Sequence, residues 1–166
     1  MLKRNFLATV CLCAILFPGA WHVNAQNAQS GKAVLEAYVS AWNRRDYAAI
    51  GTLLAPNGIH EDLAQGFRGQ GTEQVQDFLR EILKSEPDFV WHLTLVAQSG
   101  SVVAAEWTWT TTYTGDTQYG PVVGKRISGR GASIAVIENG RINRFTDYYD
   151  NASFFPKPPA PSVPGK

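Results

Sequence analysis

Cysteine is nearly absent from this 166-residue chain: there are two, Cys11 and Cys13, both close to the N-terminus. A disulfide-stapled scaffold and a CxxC redox motif are therefore excluded for everything beyond them. Charge of one sign is also missing, with 15 basic and 14 acidic side chains and a formal net charge of +1. Such a balance offers no broad cationic face to nucleic acid or to an anionic membrane. No GxSxG elbow and no glycine-rich phosphate loop ending in lysine occur, so serine-triad and nucleotide chemistry have no motif behind them. Histidine occurs three times, too thinly spread for an obvious metal site.

One apolar run is present, from Phe6 to Phe17, preceded by Lys3 and Arg4 and followed by a polar stretch containing Val23-Asn24-Ala25. That order is the pattern of a secretory signal, with small residues placed for cleavage after Ala25. The run is too short for a comfortable membrane span, so a stable membrane anchor is not expected. Neither cysteine follows the run behind small residues, as lipid attachment would require. The expectation is an exported protein, secreted or periplasmic, with residues 1–25 removed. The remaining 141 residues suit one domain with a real core, and losing Lys3 and Arg4 leaves 13 basic against 14 acidic side chains.

Aromatic residues are plentiful: five tryptophans, six tyrosines and eight phenylalanines. They could line a cavity for an apolar small molecule or simply build a core. Between Gly31 and Asn43, Val34, Leu35, Tyr38, Val39 and Trp42 recur at helical spacing. A short second helix is predicted in "DYAAIGTLLA", with Asp46 as N-cap and Pro56-Asn57-Gly58 as its stop. "GIHEDLA" reads as a short strand and "GFRGQG" as a turn, and from Thr72 a third helix carries Val75, Phe78, Leu79, Ile82 and Leu83 as a stripe.

After Pro87 the period changes to that of strands, through "FVWHLTLVAQ", "SVVAAEWTWTTTY" and "KRISGRGASIAVIE". Asn139-Gly140 signals a tight hairpin into "RINRFTDYYD". The domain is expected over residues 26–155, and the proline-rich residues 156–166 as an exposed extension. Helices followed by a meandering sheet make an α+β domain, with helices on one sheet face.

In the last strand, alternation puts Phe145, Asp147 and Tyr149 on one face. If that face is inward, Asp147 is partly desolvated and suited to proton transfer; otherwise it is a surface or structural acceptor. Trp107 and Trp109 share a face with Val103, Ala105, Thr111 and Tyr113, as a substrate platform or as ordinary packing. His60, Glu61 and Asp62 invite a metal reading, but no third ligand is spaced to join them, so no metal and no cofactor are expected. His92 is either a pocket residue or a structural histidine.

With "AYVSAWNRRDYAAIGTLLAPNGIHED", "FRGQGTEQVQDFLREI" and "GKRISGRGASIAVIENGRINRFTDYYD" in this order, the chain resembles the SnoaL-like polyketide cyclases, within the nuclear transport factor two-like and steroid isomerase-like group. The resemblance implies a cone: a strongly curved, mostly antiparallel sheet wrapped against three N-terminal helices, commonly as a homodimer. It implies that Asp147 matches the cyclases' general base, which removes a carbon-bound proton. Asp62 and Tyr38 match the base and the oxyanion donor of steroid isomerases, whose second acidic donor falls near Ala132. Trp107 and Trp109 stand where limonene-epoxide-hydrolase-like members need arginine and aspartate. The expected function is an exported enzyme of cyclase or isomerase type acting on an apolar carbonyl compound. Asp147 would be the base, with His60, Tyr38, Asp62 or His92 assisting and Trp107, Trp109, Phe145 and Tyr149 as contacts. A non-catalytic binding domain using the same pocket is the alternative.

Overall fold

In a computed structural model, residues 30–115 and 122–154 are described. The expected signal segment, the middle of the loop after Gly115 and the proline-rich extension lie outside these residues. Helix α1 spans Gly31–Arg44, opened by Ser30, whose hydroxyl accepts from the Ala33 N–H. It ends at Arg45, held in the left-handed region at φ 57°. Helix α2, Tyr47–Leu53, starts at Asp46, whose carboxylate accepts from the Ala49 N–H at 2.9 Å. Its stop comes earlier than Pro56: strand β1 begins at once and runs Leu54–Asp62 through the proline. The "GFRGQG" stretch is more than a turn, since Phe67–Gln70 forms strand β2 against β1. Helix α3 follows at Gly71–Ser85.

The rest is a meander: β3, Val90–Ser99; β4, Val102–Thr112; β5, Arg126–Glu138; and β6, Arg141–Tyr148, followed by a short 3₁₀ turn at Asn151–Phe154. Asn139 and Gly140 take φ values of 53° and 71°, the pair of positive angles that a type I′ hairpin demands.

The six strands form one sheet in the order β2-β1-β6-β5-β4-β3. This corrects the expected cone. The sheet is open, with β2 and β3 as separate edges, and it is not curled into a closed or strongly curved wall. It is also mixed, because β6 inserts beside β1 in parallel while its other neighbour, β5, is antiparallel. Nor do all three helices precede the sheet, since β1 and β2 come before α3. The α+β class itself stands, with three helices packed against the sheet.

The core lies between the helices and that face. Val34, Leu35, Tyr38 and Trp42 of α1, Val75 and Leu79 of α3, and Val103, Ala105, Trp107 and Trp109 of β4 are all buried. Two glycines shape its tryptophan wall. Gly131 pairs with Trp107 and Gly129 with Trp109 across the β4–β5 ladder. A Cβ on Gly131 would stand 2.4 Å from the Trp107 ring, and one on Gly129 would stand 2.8 Å from Trp109. The indoles therefore lie over bare backbone, a close approach that only glycine permits.

Candidate active site

Between α1, α3 and the covered face of the sheet lies a cavity enclosing about 50 Å³. That is room for roughly three to five waters. His60, Asp62, Glu86 and Asp147 contribute its ionisable groups, and Trp42, Trp91, Trp107 and Trp109 much of its apolar wall. No lysine or arginine occurs among the described lining residues.

Asp147 points inward from β6 and is buried, as is the Phe145 beside it on the same face. Its Oδ2 lies 3.1 Å from His60 Nε2, and its Oδ1 accepts from the Ser133 hydroxyl. Ser133 in turn accepts from the Trp107 indole N–H at 2.7 Å. On the far side of the imidazole, His60 Nδ1 lies 3.0 Å from the Tyr38 hydroxyl. Tyr38 is fully buried; desolvation pushes its phenol up, the Asp147 charge adds to this, and the Trp42 indole opposes it without reaching hydrogen-bond geometry. The phenol consequently keeps its proton and donates to Nδ1, which leaves Nε2–H to donate to Asp147. Tyr38, His60 and Asp147 thus form one polarised chain of donors ending on the carboxylate.

A carboxylate has about four lone-pair sites, and Asp147 uses two of them on His60 and Ser133. The remainder are free to take a proton from a molecule in the cavity. His60 has both nitrogens committed and serves to hold Asp147 in place. Its ring is fixed edge-on against Phe145, with centroids 4.9 Å apart.

Asp62 sits directly beside Asp147 in the parallel β1–β6 register. Its Oδ2 accepts from Tyr149 at 2.8 Å and its Oδ1 from the Gln65 N–H. Burial is the main reason that its affinity for protons is raised, with the neighbouring Asp147 adding to it. Burial and Asp62 likewise push up the Tyr149 phenol. Glu86, at the C-terminal end of α3, is buried with the Tyr113 hydroxyl turned to it, and burial, outweighing the help that hydroxyl gives the charged form, pushes its carboxyl up to about 7. Tyr113 is itself raised by burial and by that carboxylate.

Of the residues expected at the site, His60, Asp62, Asp147, Trp107, Trp109 and Tyr149 line the cavity together. Tyr38 and Phe145 stand just behind its wall, each touching His60. His92 does not join them: it is exposed, on the opposite face of β3 from the buried Trp91. Among the described residues no group of three or more metal-ligating side chains occurs. Ser133 and Glu86 were not anticipated as site residues, whereas Tyr113 stood in the row with Trp107 and Trp109 that was read as a substrate platform or as packing. Glu86 was nonetheless visible as the next step of the α3 stripe, four residues after Ile82.

Solved structures similar to this one include a candidate polyketide cyclase from Xanthomonas campestris, at TM-score 0.63 and 28% identity, covering 72% of this chain and 90% of that one. Another, from Pseudomonas putida, has TM-score 0.63 and 27% identity, with 74% and 93% covered. A SnoaL-like polyketide cyclase from Agrobacterium tumefaciens shares the fold at TM-score 0.64 and 20% identity, with 74% and 93% covered. Among curated proteins, none matches the chain. The sequence profile of the SnoaL-like polyketide cyclases matches residues 32–156, which shows that the chain belongs to that family.

Proposed function

We propose that the protein is a small-molecule enzyme in which Asp147 removes a carbon-bound proton next to a carbonyl group. The observation that carries this reading is Asp147 itself: a buried carboxylate lining an aromatic cavity, held by His60 and Ser133 with accepting capacity to spare. A base of this kind contributes typically 10²–10⁴-fold to a proton transfer. Trp107, Trp109 and Tyr149 supply flat apolar surface for the compound. Trp42 and Trp91, both cavity residues, add to this apolar wall, their indole N–H groups being buried out of reach.

Two further expectations belong to the same proposal. Export to a secreted or periplasmic location rests on the N-terminal residue order. Pairing with a second copy rests on Leu95, Val102 and Tyr148, large apolar side chains exposed on the face of the sheet that the helices leave uncovered. Analytical ultracentrifugation of the mature chain should then report a dimer.

The test of the reaction is deuterium incorporation from D₂O into a panel of cyclic ketones and polyketide-like esters, followed by mass spectrometry for wild type and D147N. Loss of at least roughly 100-fold in D147N is expected. Equal turnover by the two proteins would remove Asp147 from the chemistry. Binding of panel compounds without any exchange would instead favour a ligand carrier built on the same cavity.

A further inference from the structure

Resting on the carbonyl reading above, we infer that Glu86 is a second acid–base group of the cavity, giving its proton to the carbonyl oxygen while Asp147 takes the one on carbon. Removing a proton next to a carbonyl moves the C–H electron pair into a new C=C bond and pushes the C=O pair onto oxygen. That oxygen needs a donor. The cavity's hydroxyl and imidazole groups are already engaged: Tyr149 donates to Asp62, His60 donates to Asp147, and the Tyr113 hydroxyl is turned to Glu86 itself, while Tyr38, behind the wall, donates to His60. His92 is exposed and stands apart.

Glu86 differs from its neighbours in what surrounds it. It is buried, it lines the cavity, and among the described residues it takes part in no ion pair. The charged groups acting on it, Asp62 and Asp88, are of its own sign. Asp88 spends its charge elsewhere, on Thr111, Thr112 and Arg126. A buried carboxyl with no cation holds its proton, and burial has raised this one to about 7, where it can both give and recover a proton near neutrality. Asp62, though also buried, is held by a phenol and a backbone N–H that stabilise its ionised form.

The step balances without a cofactor. The C–H bond breaks, its proton goes to Asp147, and the Glu86 proton goes to the oxygen, leaving an enol, a neutral Asp147 and an ionised Glu86. Reversal restores both protonation states, and in D₂O exchange of the Asp147 proton with solvent before reversal leaves deuterium on the carbon.

Cyclohexanone is a simple cyclic-ketone probe, and its loss of α-hydrogen signal in D₂O can be followed by ¹H NMR at neutral pH. We expect E86Q, with an unchanged melting temperature or a higher one, to slow exchange roughly 100-fold, as D147N does. Y113F, which keeps the carboxyl but removes the hydroxyl turned to it, should slow exchange less. A wild-type rate in E86Q beside a dead D147N overturns the Glu86 assignment and leaves the Asp147 reading intact. Should E86Q fail to fold, Y113F decides, and an unchanged rate there counts against Glu86. No exchange by the wild-type protein above the buffer rate overturns both.

Discussion

Asp62 and Asp147 are direct neighbours on adjacent parallel strands, both buried and both with their side chains in the same cavity. Two like charges so placed repel, and this repulsion adds to burial in raising the proton affinity of Asp62. Glu86, farther along the same cavity, feels Asp62 in turn.

The first prediction is a pH dependence of stability. Glu86 is raised from 4.5 to about 7 in the folded protein, so the fold binds its proton more tightly than the unfolded chain does. Its contribution is complete below about 4.5 and is lost as pH rises through about 7. The full difference corresponds to up to about 3 kcal/mol. Asp62 acts in the same direction, and the lowered Asp88 acts oppositely at more acidic pH. Urea denaturation across this range should show stability falling toward neutrality in wild type and a flatter profile in E86Q.

A second prediction concerns the donor chain behind Asp147. Tyr38→Phe deletes the hydroxyl that satisfies His60 Nδ1 in a fully buried setting. Leaving a buried acceptor unpaired costs about 1–3 kcal/mol. Chemical denaturation should read that loss. Proton exchange should fall less in this variant than in D147N, because Asp147 keeps both of its own partners.

The third prediction tests the glycine beneath a tryptophan. Gly131→Ala would place a methyl 2.4 Å from the Trp107 ring and 2.8 Å from the Tyr148 carbonyl oxygen. The indole has to move, and its hydrogen bond to Ser133 goes with it. Overpacking of this kind costs about 1–3 kcal/mol, and here it should also weaken ligand binding. Tryptophan fluorescence, with and without a panel ketone, is the measurement.

Fourth, Asp46→Ala removes the cap from α2, a helix of only seven residues. A loss of about 1 kcal/mol is expected, with no change in exchange chemistry. Thermal melting followed by circular dichroism will show it.

Much of the architecture was legible because its signals are local. The α1 stripe, the Asp46 cap and the Asn139-Gly140 hairpin each depend on a few adjacent residues and their own conformational preferences. The inward turn of Phe145 and Asp147 follows from simple alternation once the strand is recognised. Ser133 was hidden for a different reason. Counting back from the hairpin pairs Asp147 with Ala132, but the register shifts by one residue between Val136 and Ile137, and Asp147 comes to face Ser133. A one-residue slip of that sort moves a side chain to the other face, and nothing in local composition announces it. The sheet's openness was equally out of reach, since it is set by how edge strands β2 and β3 stand relative to one another.

The last strand in chain order among the described residues, β6, occupies an interior place in the sheet between β1 and β5. A nascent chain that has emerged only as far as Gly140 can therefore assemble β2 with β1, and β3 with β4 and β5, but not join them. Each half then carries an unpaired edge, which is a template for pairing with another chain. Asp147 arrives on the very segment that closes this gap, and its hydrogen bonds reach Ser133 on one side and His60 on the other. Completing the sheet and completing the site are one event, so a chain cut short before Arg141 has neither Asp147 nor a protected backbone, only an open seam between β1 and β5.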